Sequence, residues 1–106
     1  MNALEKLAQT ISSRKNENVD KSWTARLLSQ GPHITAQKFG EEAIEAVIEA
    51  IKGDKIRLIS ESADVLYHLL VMLAAHNISL NEVLEELEQR QGKSGLVEKK
   101  SRSRKI

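Results

Sequence analysis

Between Val65 and Leu73 the sequence reads VLYHLLVML, and Val65, Leu66, Leu69, Leu70, Val71, Met72 and Leu73 cover nearly the whole circumference of a helix. A helix that is apolar all round has to be buried on more than one side. A chain of 106 residues with a single partner hairpin offers too little surface to do that alone. The pattern predicts an all-α fold in which helical hairpins assemble into a bundle shared across a homodimer.

The rest of the chain fits long helices with short joints. Pro32 is the only proline, and Trp23, Phe39 and Tyr67 are the only aromatic residues, so the core has to be aliphatic. Leu4, Leu7, Ala8 and Ile11 recur at helical spacing and predict a first helix over about 2–14. A short second helix follows, with Ser22 as its N-cap, Trp23, Leu27 and Leu28 on its apolar face and Gly31 as its stop. Pro32 then starts a third helix that runs to about Lys52 and ends at Gly53. Here Ile44, Val47, Ile48 and Ile51 predict a buried stripe. Asp54 opens a fourth helix reaching about His76, and Ser79 with Glu82 three residues on forms a capping box for a fifth, ending near Gly92. Residues 1–92 thus form one all-α domain, with 93–106 as its basic C-terminal tail. That tail lacks apolar periodicity, so it reads as a disordered segment or an arm that orders on binding.

Composition narrows the function classes. Without cysteine there is neither a disulfide framework nor a thiolate metal site. The first fifteen residues interrupt their apolar pattern with polar and acidic ones, unlike a secretory leader. No run approaches the roughly 18 uninterrupted apolar residues of a membrane span. A cytoplasmic protein is the expectation, with no membrane partner. The net charge of +1 conceals an asymmetry. Seven acidic residues lie from Glu41 to Asp64, against Lys52, Lys55 and Arg57, whereas six basic residues lie from Lys93 onward, against Glu98. The tail has no interleaved aromatics and the domain carries an acidic face, which disfavours a nucleic-acid partner.

The acidic residues are patterned. At about 100° per residue, Lys38, Glu42, Glu45 and Glu49 fall in one stripe, roughly opposite Ile44, Val47, Ile48 and Ile51. On the fourth helix Glu61, Asp64 and His68 share a stripe that interrupts an apolar surface. Burying an unpaired carboxylate among aliphatic side chains costs several kcal/mol. Neighbouring like charges on a helix add about 0.2–0.5 kcal/mol of repulsion per pair. In a hairpin Glu42 and Glu45 can face Glu61 and Asp64, an all-oxygen set that suits a hard cation such as Mg²⁺ or Mn²⁺. A structural salt-bridge face is the other reading of the same spacing.

The pattern E-x-x-E, fifteen residues, E-x-x-D is that of the all-α nucleotide pyrophosphohydrolase superfamily; here it is Glu42 and Glu45 followed by Glu61 and Asp64. KFGEEAIEAVIEA from Lys38, ESADVLYHLLVML from Glu61, SWTARLL from Ser22 and SGLVEKKSR from Ser94 closely resemble the phosphoribosyl-ATP pyrophosphatases, essentially over the whole chain. The resemblance is to the stand-alone form, without a fused cyclohydrolase. It implies cleavage of 1-(5-phosphoribosyl)-ATP between the α- and β-phosphates, the second step of histidine biosynthesis. It also implies that Glu42, Glu45, Glu61 and Asp64 take the metal-ligand roles. Trp23 stands where many relatives carry tyrosine; it either lines the nucleotide pocket or fixes the short helix.

Within that chemistry a loosely engaged carboxylate, Glu41 or Glu45, takes the proton of the attacking water. Lys38 contacts a phosphate or neutralises the acidic cluster. Lys99 and Arg102 are expected phosphate contacts of an arm that closes over the substrate. His68 either touches the substrate or a metal-bound water, or is a core histidine hydrogen-bonded to a neighbouring helix. Two other functions fit the same residues: a house-cleaning pyrophosphohydrolase acting on (deoxy)nucleoside triphosphates, and a non-catalytic helical dimerisation module.

Overall fold

The computed structural model describes residues 1–91, so Gly92 and the tail with Lys99 and Arg102 lie outside the described residues. Within them the chain is all-helical: α1 (Ala3–Arg14), α2 (Trp23–Ser29), α3 (Pro32–Lys52), α4 (Lys55–Ala75) and α5 (Leu80–Arg90).

Local chemistry sets each boundary. The Asn2 side chain accepts from the Glu5 N–H at 2.9 Å and starts α1, and Ser22 Oγ accepts from Ala25 N–H at 3.1 Å to start α2. Gly31 follows the α2 C-cap Gln30 at φ +92°, its N–H returning to the Leu28 carbonyl at 3.2 Å, and the same glycine leads into Pro32 and α3. At the other end of α3, Gly53 adopts φ +76°, a conformation that is costly for a residue with a Cβ. The N–H groups of Gly53 and Asp54 both return to the Glu49 carbonyl, at 3.0 and 3.2 Å. Asp54 then caps α4, its Oδ1 accepting from Arg57 N–H at 3.0 Å. Two residues therefore end one long helix and begin the next. Ser79 and Glu82 form the reciprocal capping box of α5.

The hairpin α3–α4 is the backbone of the fold and makes the most extensive helix contact. The core lies at one end of it. Ile11 of α1, Leu27 of α2, and Leu70 and Val71 of α4 are buried together, with Leu4, Leu7, Leu28, Tyr67, Leu73 and Leu80 packed around them. A hydrogen bond of 2.6 Å between Thr24 Oγ1 and Tyr67 Oη ties α2 to α4.

The buried stripe expected on α3 is bare in the single chain. Ile51 is 81% exposed, and Ile44, Val47 and Ile48 are exposed as well. The reason is the rotation of α3, which turns its acidic stripe, not its aliphatic one, toward α4. Glu49 consequently sits at 4% exposure. On α4, Ile56 (83% exposed), Ile59 and Leu66 are also bare. The hairpin thus buries Glu49 and half-buries Glu42 and Glu61, leaves Glu45 in contact with solvent, and carries an apolar surface on its outer side.

Candidate metal centre

The tight reversal sets the register of the two stripes. Glu45 lies eight residues before Gly53 and Glu61 eight residues after it, so the antiparallel helices bring them to the same level. Glu42, one turn further along α3, joins them. One carboxylate oxygen from each of Glu42, Glu45 and Glu61 lies within 4.8 Å of the others. Asp64 stands outside this triad, one turn along α4, but its charge acts on both Glu42 and Glu61.

Three carboxylates this close repel one another strongly unless protonated or bridged by a cation. The Glu42 and Glu61 carboxyls are both held above the ordinary carboxylate value, first by desolvation and then by the adjacent Glu45 and by Asp64. Glu61 Oε2 is shut off from solvent without a hydrogen-bond partner among the described residues. The donor set is oxygen only, which matches a hard divalent cation. By this test the residues fit Mg²⁺ or Mn²⁺.

The shifts have a consequence for stability. A carboxyl whose folded-state value is raised contributes stability that is complete below its unfolded value and lost as pH rises through the folded value. Metal-free protein is therefore expected to lose thermal stability from Glu42 and Glu61 as pH rises from about 4.5 toward neutrality. A cation in the triad removes that loss. Thermal midpoints measured from pH 4.5 to 7.5 should show a Mg²⁺ increment that grows with pH, and a pH-independent increment would contradict it.

The remaining residues flank the triad. Glu41 is not part of it and pairs with Lys38 at 3.6 Å, both side chains about half exposed. His68 is 8% exposed, and its Nδ1 is buried with no partner among the described residues, so the hydrogen bond to a neighbouring helix expected of a core histidine is absent at that atom. Burial lowers its pKa; Lys38 acts in the same direction, with Asp64 and Glu41 opposing. Trp23 is 56% exposed on α2. Spacing placed Glu49 in the stripe without a role. It is the most buried carboxylate of the cluster, and its Oε2 also has no hydrogen-bond partner among the described residues.

Known proteins are similar to this chain. The model of the phosphoribosyl-ATP pyrophosphohydrolase family matches residues 4–91. A phosphoribosyl-ATP pyrophosphatase of Dinoroseobacter shibae is 61% identical over 96% of this chain and 100% of its own length. The enzymes of the same name from Cereibacter sphaeroides and Ruegeria pomeroyi are each 60% identical over 96% of this chain, covering 99% and 97% of theirs.

Proposed function

The chain belongs to the phosphoribosyl-ATP pyrophosphohydrolase family, and on that premise we propose that Glu42, Glu45, Glu61 and Asp64 hold a Mg²⁺ ion for the hydrolysis of 1-(5-phosphoribosyl)-ATP. The products are 1-(5-phosphoribosyl)-AMP and pyrophosphate, and the step belongs to histidine biosynthesis. The observation that carries the metal assignment is the triad within 4.8 Å. A bare acidic cluster repels a polyphosphate, so substrate has no reason to approach this hairpin until the carboxylates are neutralised. Mg²⁺, with Mn²⁺ as a substitute, supplies that neutralisation and stabilises the charge that builds on the phosphate oxygens.

The protein's own residues divide the remaining work. Glu45, wedged between Glu42 and Glu61, serves as a ligand. Glu41 lies off the triad and is the freer carboxylate, which suits it to accept the proton of the attacking water. Its ion pair with Lys38 orients it, and Lys38 reaches a phosphate when substrate displaces that pair. The half-exposed indole of Trp23 offers a face for the adenine, and His68, near enough to Lys38 and Glu41 to feel their charges, adds a polar group beside them. Lys99 and Arg102 add phosphate contacts from the tail.

A second copy of the chain covers the bare face of Ile44, Val47, Ile48, Ile51, Ile56, Ile59 and Leu66. Exposed apolar surface of this extent marks an interaction site. By length and composition α4 is apolar enough to cross a membrane. The Glu61 and Asp64 stripe halfway along it argues against lipid, where carboxylates are costly. A homodimer sharing a helical bundle buries the aliphatic face and leaves the metal centre open to a nucleotide. The enzyme then works in the cytoplasm, without nucleic acid or membrane as partner.

Pyrophosphate release measured on phosphoribosyl-ATP and on a panel of ribo- and deoxyribonucleoside triphosphates tests the substrate. Phosphoribosyl-ATP is expected to be preferred in kcat/KM by on the order of 10²-fold or more. Comparable rates across the panel would assign the chain to nucleotide-pool cleaning instead, with the same metal centre.

A further inference from the structure

Glu49 lies one helical turn from Glu45, on the side of the cluster nearer the Gly53–Asp54 reversal. With 4% exposure it is the one acidic residue of the hairpin that is fully buried. Its Oε1 meets Lys52 Nζ at 3.6 Å, but that lysine side chain is 64% exposed, and the pair is stretched beyond hydrogen-bond distance. Oε2 is shut off from solvent with no hydrogen-bond partner among the described residues. Glu49 is also among the charges that Glu61 experiences, so it belongs electrostatically to the triad. An ion pair with a surface lysine contributes little and leaves one oxygen of this buried carboxylate unsatisfied, which is costly.

We propose that Glu49 is a fifth carboxylate of the metal centre, its Oε2 accepting a hydrogen bond from the hydrated cation held by Glu42, Glu45 and Glu61. The inference rests on that triad being a Mg²⁺ site. Mg²⁺ gives up its waters reluctantly and keeps several of them when bound to protein carboxylates. Acceptors around those waters hold the ion in place, and removing one typically weakens affinity about 10–100-fold. Glu49 offers such an acceptor on the closed, inner side of the site, together with a full negative charge. It is a positioning residue: it acts on the cation, and through it on the phosphates.

The test is Mg²⁺ binding by calorimetry, alongside the thermal midpoint with and without Mg²⁺, on the full chain and on Glu49→Gln and Lys52→Met. Glu49→Gln is expected to bind Mg²⁺ about 10–100-fold more weakly. Its metal-free thermal midpoint should equal or exceed that of the unmodified chain, because a buried charge has gone. Lys52→Met should bind Mg²⁺ as tightly as the unmodified chain or more so, since a positive charge has left the vicinity. Unchanged Mg²⁺ affinity in Glu49→Gln, with the metal-free midpoint lowered to the same extent in both variants, would overturn the proposal and leave Glu49 as a salt-bridge residue. If the unmodified chain itself binds no Mg²⁺, the triad fails as a metal site and this inference fails with it; the unmodified chain's titration tells the two failures apart.

Discussion

Replacing Glu61 with glutamine is expected to lower turnover of phosphoribosyl-ATP by on the order of 10²–10³-fold while leaving the helical fold in place. Glutamine has the same shape, but it lacks the charge that a hard cation requires. Glu61 is the only member of the triad supplied by α4, so the change leaves two ligands on α3 with nothing opposite them. The loss should appear in kcat, with a smaller effect on KM, because the neutralisation that Mg²⁺ provides matters most as charge builds on the phosphate oxygens. Stability should move the other way. Glu61 is held protonation-prone by burial and by Glu45, so removing its charge relieves repulsion, and metal-free Glu61→Gln should melt no lower than the unmodified chain. The Mg²⁺ increment in thermal midpoint should disappear; for a site filled at a hundredfold excess over its dissociation constant that increment corresponds to about 2.7 kcal/mol. A fully active Glu61→Gln would remove the metal assignment. Glu41→Gln makes the complementary case: rate should fall with the Mg²⁺ increment intact, since Glu41 pairs with Lys38 outside the triad.

The second large effect concerns the bare face. Ile51→Glu should dissociate the homodimer, because Ile51 is among the most exposed apolar side chains of α3 and lies on the aliphatic stripe roughly opposite the acidic one. In a two-fold assembly each substitution enters the interface twice. A carboxylate buried without a partner costs several kcal/mol, so a dissociation constant raised by at least about 10²-fold is expected, each tenfold step being about 1.4 kcal/mol. Light scattering should report a dimer for the unmodified chain and a monomer for the variant at micromolar concentration. The variant should also melt lower, having left the whole aliphatic face in water. An unmodified chain that runs as a monomer would end the shared-bundle reading, and a dimeric Ile51→Glu would move the interface to another face.

Much of the architecture is legible in the order of the amino acids. The helix boundaries follow from chemistry local in sequence: Ser22 and Asp54 cap, Gly53 takes φ +76°, and Ser79 with Glu82 closes a box. Such contacts span three or four residues, so the sequence carries them directly. The ligand pattern is legible for a related reason, since a tight hairpin makes the Glu45–Glu61 level a matter of counting from the turn. What spacing does not supply is the rotation of α3 about its axis. Opposite stripes of isoleucine and glutamate are equally consistent with either face turned inward, and the hydrophobic effect within one chain favours the wrong answer. Burial of the aliphatic stripe is therefore the natural expectation, and the stripe is bare.

Five helices, most of their caps, the acidic spacing and the family are legible in the linear order of residues, because each depends on near neighbours or on linear pattern. The four carboxylates were a candidate set at that level, with a salt-bridge face as their rival. The packing of α3 on α4 is what brings Glu42, Glu45 and Glu61 within 4.8 Å of one another and leaves Asp64 one turn aside. It also brought Glu49 into the interior with an unpartnered oxygen among the described residues, and sent Glu41 outward to Lys38. These are consequences of how two helices rotate and pack against each other, which no single helix encodes.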